Sequence, residues 1–192
     1  IQEKDYDGVP KIKELFYSPE NDKYILYEEC IQGYTIESML SKGTCFGKKF
    51  VIKMATALCN ILKPIHNDNL IHRDISPNNV MYSQIEDKFY LIDFGNSRLN
   101  KINTPKDTVF DGTPIFMAPE QGGVGTQSDN RTDIYAIGML MKFMLTKNTT
   151  DKKSKIRGRL GKIIVVPKKW TNNTGGYYNC LLYTSPSPRD ST

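Results

Sequence analysis

His72-Arg73-Asp74-Ile75-Ser76-Pro77-Asn78-Asn79 is the stretch on which the reading of this chain turns. It sets an acid, Asp74, five residues ahead of an amide, Asn79. Nineteen residues beyond Asp74 comes Asp93-Phe94-Gly95, and further on Gly112-Thr113-Pro114 leads into Ala118-Pro119-Glu120. Transfer of a phosphoryl group from a nucleotide needs a carboxylate to orient the attacking hydroxyl. It also needs oxygen ligands on two different segments to hold magnesium against the phosphates. H-R-D-x-x-x-x-N, D-F-G and A-P-E supply those groups in that order. One such triplet alone is a weak signal; three in the correct order and spacing are specific.

Together these motifs resemble those of the eukaryotic-type protein kinases, serine/threonine-like, over about residues 5–146. The resemblance implies an α+β, protein-kinase-like fold: a partial small-lobe sheet followed by a mostly helical large lobe. It divides the chain into a small-lobe remnant (1–28), a hinge (29–34), a large lobe (35–146), a basic, poorly assigned segment (147–179) and a non-native tail (180–192). It also implies ATP and Mg2+ as cofactors and a protein as substrate. Asp74 is then the catalytic carboxylate, with a turn-capping loop aspartate as the plain alternative. Asn79 and Asp93 are expected to hold magnesium and, through it, the nucleotide. Glu29 and Ile31 are expected to meet adenine through main-chain groups of the hinge. Phe94 reads as a packing residue, and Gly95 as the residue that lets the chain turn sharply after Asp93.

Thr113 resembles the threonine that contacts the catalytic loop in serine/threonine kinases, and is grouped with the catalytic residues. Ser76 is grouped there too, because it stands where such kinases usually carry a lysine near the transferred phosphate. A hydroxyl cannot replace that point charge. Arg73 is expected to pair with a phosphate on the activation segment, where Thr104 and Thr108 are candidate sites or ordinary loop threonines. Asp133 is expected to accept backbone N–H bonds from the catalytic loop, and His66 and His72 to be structural. Glu120 would lack its usual late arginine and be left unpaired. The Ser76-Pro77 variant also resembles the loop of aminoglycoside and choline phosphotransferases, so a small-molecule phosphotransferase is the first alternative. Gly112 to Gln121 argues against it, because those enzymes lack an activation segment ending in Ala-Pro-Glu. A pseudokinase scaffold is the second alternative, kept open by Ser76 and by the missing phosphate-binding lysine.

Outward from the motifs, periodicity sets the elements. Lys11 to Tyr17 and Tyr24 to Tyr27 read as strands joined by a polar turn. Thr35 can cap a short helix running through Leu40 and ending near Gly43. A longer helix from about Gly47 to Asn67 repeats Val51, Met54, Leu58, Ile61, Leu62 and Ile65 at helical steps. Within it, Val51-Ile52-Lys53 mimics a phosphate-binding lysine strand, but helical periodicity marks Lys53 as a surface residue. Phe89 to Ile92 reads as a buried strand delivering Asp93, and Thr132 to Leu145 as a further helix. Gly122-Gly123-Val124-Gly125 follows no strand and reads as a turn, not a phosphate cradle.

At 192 residues the chain has room for one domain or parts of two. Its net charge of +5 is concentrated in Lys147–Lys169, with nine lysines or arginines against one acid, so the rest nets about −3. No aromatic residue interleaves with those charges before Trp170, so nucleic acid is not an expected partner. The four cysteines show no paired spacing and read as reduced thiols in a cytoplasmic setting. The most apolar helix is too short to cross a bilayer. Ile1 at the start, and a tail from Cys180 resembling an in-frame translation of a sequencing adapter, suggest a fragment cut at both ends. Such a fragment, lacking a glycine-rich loop and the phosphate-binding lysine, is expected to be inactive by itself.

Overall fold

The computed structural model describes residues 4–99, 113–122 and 128–146. Thr104, Thr108, the basic segment and the adapter-like tail lie outside them. Among the described residues, seven strands form three small antiparallel sheets beside two long helices and one short one. β1 (Ile12–Ser18) pairs with β2 (Lys23–Glu28) as a hairpin, turned at Asp22, whose φ is 51°. β3 (Tyr34–Thr35) runs into α1 (Ile36–Ser41), where the Thr35 side chain accepts the Ser38 N–H at 3.0 Å. Gly43, at φ 83°, lets the chain leave this helix in the left-handed region.

α2 (Lys48–Asn67) carries the apolar stripe its sequence dictates. Val51, Met54, Ala55, Leu58, Ile61, Leu62 and Ile65 are all buried, each worth about 1.5–3 kcal/mol where the side chain is large. They pack against α3 (Asn130–Thr146) and against β6 (Lys88–Leu91). α3 is buried over most of its circumference, including Thr132 and Asp133 in its first turn. Phe46, Phe50, Tyr82 and Phe89 interlock at 4.8–5.2 Å between ring centroids and close one end of this core. Lys53 is on the exposed side of α2 and pairs with Asp87, as expected for a surface lysine.

Two strand pairings position the site. β4 (Leu70–Ile71) pairs with β7 (Arg98–Leu99), and β5 (Val80–Ser83) pairs with β6. The loop 72–79 joins β4 to β5, and the loop 92–97 joins β6 to β7. Both loops are therefore tied together at both ends and must run side by side. None of the two-residue strands was legible in the sequence, because a pair of residues carries no periodicity. The short helix end also differs slightly: α3 starts at Asn130, before the expected Thr132.

The expected small-lobe remnant divides. The hairpin β1–β2 stands apart, but Tyr6–Pro10 joins the helical body. The Gly8 carbonyl accepts the Leu91 N–H at 2.8 Å, and Val9 is buried in the core. Gly8 has φ 82°, and a Cβ there would lie 2.6 Å from Ile61 Cδ1, so this close approach requires glycine.

Candidate active site

The loop 72–79 hangs from one buried carboxylate. Asp133 Oδ2 accepts the His72 N–H at 3.0 Å and the His66 Nε2 bond at 2.7 Å, while Oδ1 accepts the Arg73 N–H at 2.8 Å. Burial alone would raise its pKa. The His66 imidazole and the loop amides outweigh that and hold it below the usual carboxylate value. These bonds restrain Arg73, which adopts φ 69°, a region costly for a side chain with a Cβ. The Arg73 carbonyl is held in turn by Gln121 Nε2 at 2.8 Å, and Gln121 Oε1 accepts the Ala118 N–H at 2.9 Å. Gln121, directly after Ala-Pro-Glu, is thereby fastened to the loop 72–79. Gln121 and His66 had no such role in the sequence reading, because their partners are remote along the chain.

His72 is fully buried, with its ring set edge-on against Phe94 at 4.6 Å. Its Nε2 lies 3.1 Å from the Ile92 carbonyl and its Nδ1 accepts the Asp74 N–H at 3.3 Å. Only the neutral Nε2–H tautomer satisfies both, and burial depresses the pKa accordingly, against the opposing pull of Asp133. The expected structural role of His72 matches this geometry.

Asp74 lies at the centre. Its Oδ1 accepts the Thr113 N–H and the Thr113 hydroxyl, both at 2.9 Å. Its Oδ2 accepts Asn79 Nδ2 at 3.1 Å and Asn96 Nδ2 at 3.3 Å. Asn79 Nδ2 also donates to the Asp74 carbonyl at 2.9 Å. With its nitrogen committed to Asp74, the Asn79 amide has its carbonyl oxygen left for a cation. The β5–β6 register sets Val80 against Leu91, and the Ile92 N–H bonds the Asn79 carbonyl at 2.9 Å. Asp93 is the next residue, so Asn79 and Asp93 emerge together.

Asp93 is exposed, and its Oδ1 accepts the Gly95 N–H at 3.0 Å. The sharp turn expected at Gly95 falls instead on Asp93, whose φ is 62°. Gly95 contributes space: a Cβ there would come within 3.0 Å of Asp93 Oδ1. Asp93 and Phe94 line a cavity of about 820 Å³ with Val9, Ile12, Leu26 and Glu28. Desolvation, then repulsion from Asp93, raises the Glu28 pKa. An amide oxygen and a free carboxylate oxygen on adjoining segments suit a hard divalent cation such as magnesium.

The other expected site residues fare differently. Ser76 is fully buried and its hydroxyl has no hydrogen-bond partner, so it faces neither solvent nor an open cleft. Glu29 is exposed, but its N–H is already bonded to the Lys11 carbonyl at 2.8 Å, leaving only its carbonyl for a base. Ile31 is half-buried just ahead of the bend at Gln32 and Gly33. Glu120 is not unpaired as expected: it accepts the Thr132 hydroxyl at 3.0 Å, a partner from the first turn of α3. Cys30, Cys45 and Cys59 are free thiols, and burial pushes Cys59 up to about 12.

The family model for the protein kinase domain matches residues 3–173. The chain belongs to the protein kinase family. It is 31% identical over 150 residues to serine/threonine-protein kinase B of Synechocystis sp., covering 73% of this chain and 25% of that protein. It is 33% identical over 133 residues to serine/threonine-protein kinase KIC1 of Saccharomyces cerevisiae, covering 69% of this chain and 12% of the relative. The chain spans less than two thirds of the length of the curated relatives it matches. Among solved structures, the kinase PK-1 of Cydia pomonella granulovirus superposes with a TM-score of 0.60 at 17% identity, covering 73% of this chain and 50% of that one. That likeness speaks for the fold, an α+β kinase fold with partial coverage. Small-molecule phosphotransfer, left open by Ser76-Pro77, is not favoured by these relatives. No helix among the described residues is long and apolar enough to cross a membrane.

Proposed function

We propose that the whole protein transfers the γ-phosphoryl group of ATP to serine or threonine hydroxyls of protein substrates, in the cytoplasm. The observation that carries this reading is the Asp74 carboxylate, gripped by Thr113 and Asn79 beside the loop that presents Asp93. Asp74 orients the acceptor hydroxyl and takes its proton. Asn79 Oδ1 and Asp93 would hold magnesium, which neutralises charge on the phosphates when bound. Glu29 and Ile31 would meet the adenine through the Glu29 carbonyl and main-chain groups at Ile31. Thr113 orients the carboxylate, and its contact with Asp74 supports a serine/threonine preference alongside the relatives' names. Ser76 serves here as a packed residue under the loop, so the charge supplied by a lysine in relatives does not come from this position.

The test is phosphate transfer from radiolabelled ATP to protein, in the full-length protein and in its Asp74→Asn variant. Magnesium-dependent label on serine or threonine that drops about 10²- to 10⁴-fold in the variant supports the reading. Equal transfer by both proteins would refute it.

A further inference from the structure

The Asp74 carboxylate accepts four hydrogen bonds, two on each oxygen. An ionised carboxylate offers about four lone-pair sites, so an arriving hydroxyl finds each of them taken. One donor has to leave. Thr113 holds Oδ1 through both its N–H and its hydroxyl at 2.9 Å, so freeing that oxygen requires the backbone to move. Asn79 holds Oδ2 with an amide that also bonds the Asp74 carbonyl at 2.9 Å, so its departure breaks two bonds. Asn96 makes a single side-chain bond, the longest of the four at 3.3 Å, from a half-buried position on the loop 92–97. A donor–acceptor separation of that length lies beyond the usual N–H···O range and is the weakest of the set.

We propose that Asn96 occupies the acceptor's place on Asp74 Oδ2, and that the substrate hydroxyl enters by displacing its amide. The inference rests on the reading of Asp74 as the catalytic carboxylate. In the resting protein, Asn96 completes the hydrogen bonding of a partly buried charge, which would otherwise lack one partner. When substrate binds, the hydroxyl O–H donates to Oδ2 in its stead. The bond from the hydroxyl oxygen to the γ-phosphorus forms as the bridging oxygen–phosphorus bond breaks. The electron pair leaves with ADP, and the hydroxyl proton passes to Oδ2. Asn96 thus shields the carboxylate it bonds and sets a barrier that a hydroxyl-bearing acceptor must overcome on entry.

The consequence is a cost to acceptor binding that depends on the hydroxyl. The full-length protein is assayed with a degenerate peptide pool fixed at a central serine, and the same pool with alanine serves as a competitive inhibitor. Asn96→Leu keeps the volume and loses the donor; Asn96→Ala loses both and serves if the first variant folds poorly. The KM for the serine pool is expected to fall by roughly three- to tenfold, the equivalent of one weak hydrogen bond. The inhibition constant of the alanine pool and the KM for ATP should stay unchanged. A merely structural role would move both pools alike. An unchanged or higher serine-pool KM, with kcat alone reduced, would overturn the proposal. Loss of transfer in Asp74→Asn checks the underlying reading separately. If no variant turns over, the Asn96 side-chain amide resonances decide: they should shift with the serine pool and not with the alanine pool, and equal responses count against displacement.

Discussion

Asp133 and Asp74 show how two aspartates of one chain take opposite tasks from their surroundings. Asp133 is enclosed, and its oxygens are spent on His66 and on two loop amides. Removing it as Asp133→Ala strands those amides and the imidazole, and should lower stability by about 3–5 kcal/mol, read as a fall in the urea midpoint. Acid should act in the same direction. His72 is held neutral below its usual value of 6.5, so the unfolded chain binds a proton there that the native state refuses. Its contribution to stability is complete above about pH 6.5 and is lost as the pH falls towards the depressed native value. Asp133, also depressed, adds a second loss as the pH falls below about 3.8. Urea midpoints measured across this range should decline below pH 6.5, and His72→Gln should flatten the upper part of that decline. The bonds that Asp133 accepts from the His72 and Arg73 amides were expected from the family resemblance. Those of Asn96 and Gln121 were not, since an amide's partner depends on which distant segment folds over it.

Among the elements, the long helices and the strands β1, β2 and β6 were legible, and the two-residue strands were not. α2 declared itself through six apolar positions at helical steps, all of them buried in the structure. β4 and β7, two residues each, exist because the loops between them are tied down, a tertiary effect that no local pattern records. The cap of α1 was legible, because a threonine before an apolar run has a specific bond to make. Thr35→Ala should therefore cost about 1 kcal/mol, visible as a small drop in the unfolding midpoint with unchanged m-value. Gly8 is the less obvious case. Its positive φ and its contact with Ile61 mean that Gly8→Ala should destabilise by about 1–3 kcal/mol, measured in the same way.

On the largest scale, the described residues form a helical body that carries the β1–β2 hairpin. Leu15, Phe16, Tyr24, Leu26 and Tyr27 of that hairpin are all exposed, whereas α2 and α3 share one continuous core. Hydrogen exchange should therefore be faster for amides of β1 and β2 than for those on the buried faces of α2 and α3. Equal protection would contradict this division. The loops 72–79 and 92–97 spring from the well-packed body, pinned by β4–β7 at one end and β5–β6 at the other. That arrangement brings Asn79 and Asp93 out side by side while Asp74 is held between Thr113 and the two amides.

The most direct test of that convergence is the affinity for manganese–ATP, measured by the paramagnetic relaxation of water in the wild type and in three variants. The account predicts that Asn79→Ala and Asp93→Asn each weaken binding by about tenfold or more, through loss of an oxygen ligand, while Asp74→Asn leaves it within about twofold. Unchanged affinity in both Asn79→Ala and Asp93→Asn would contradict it.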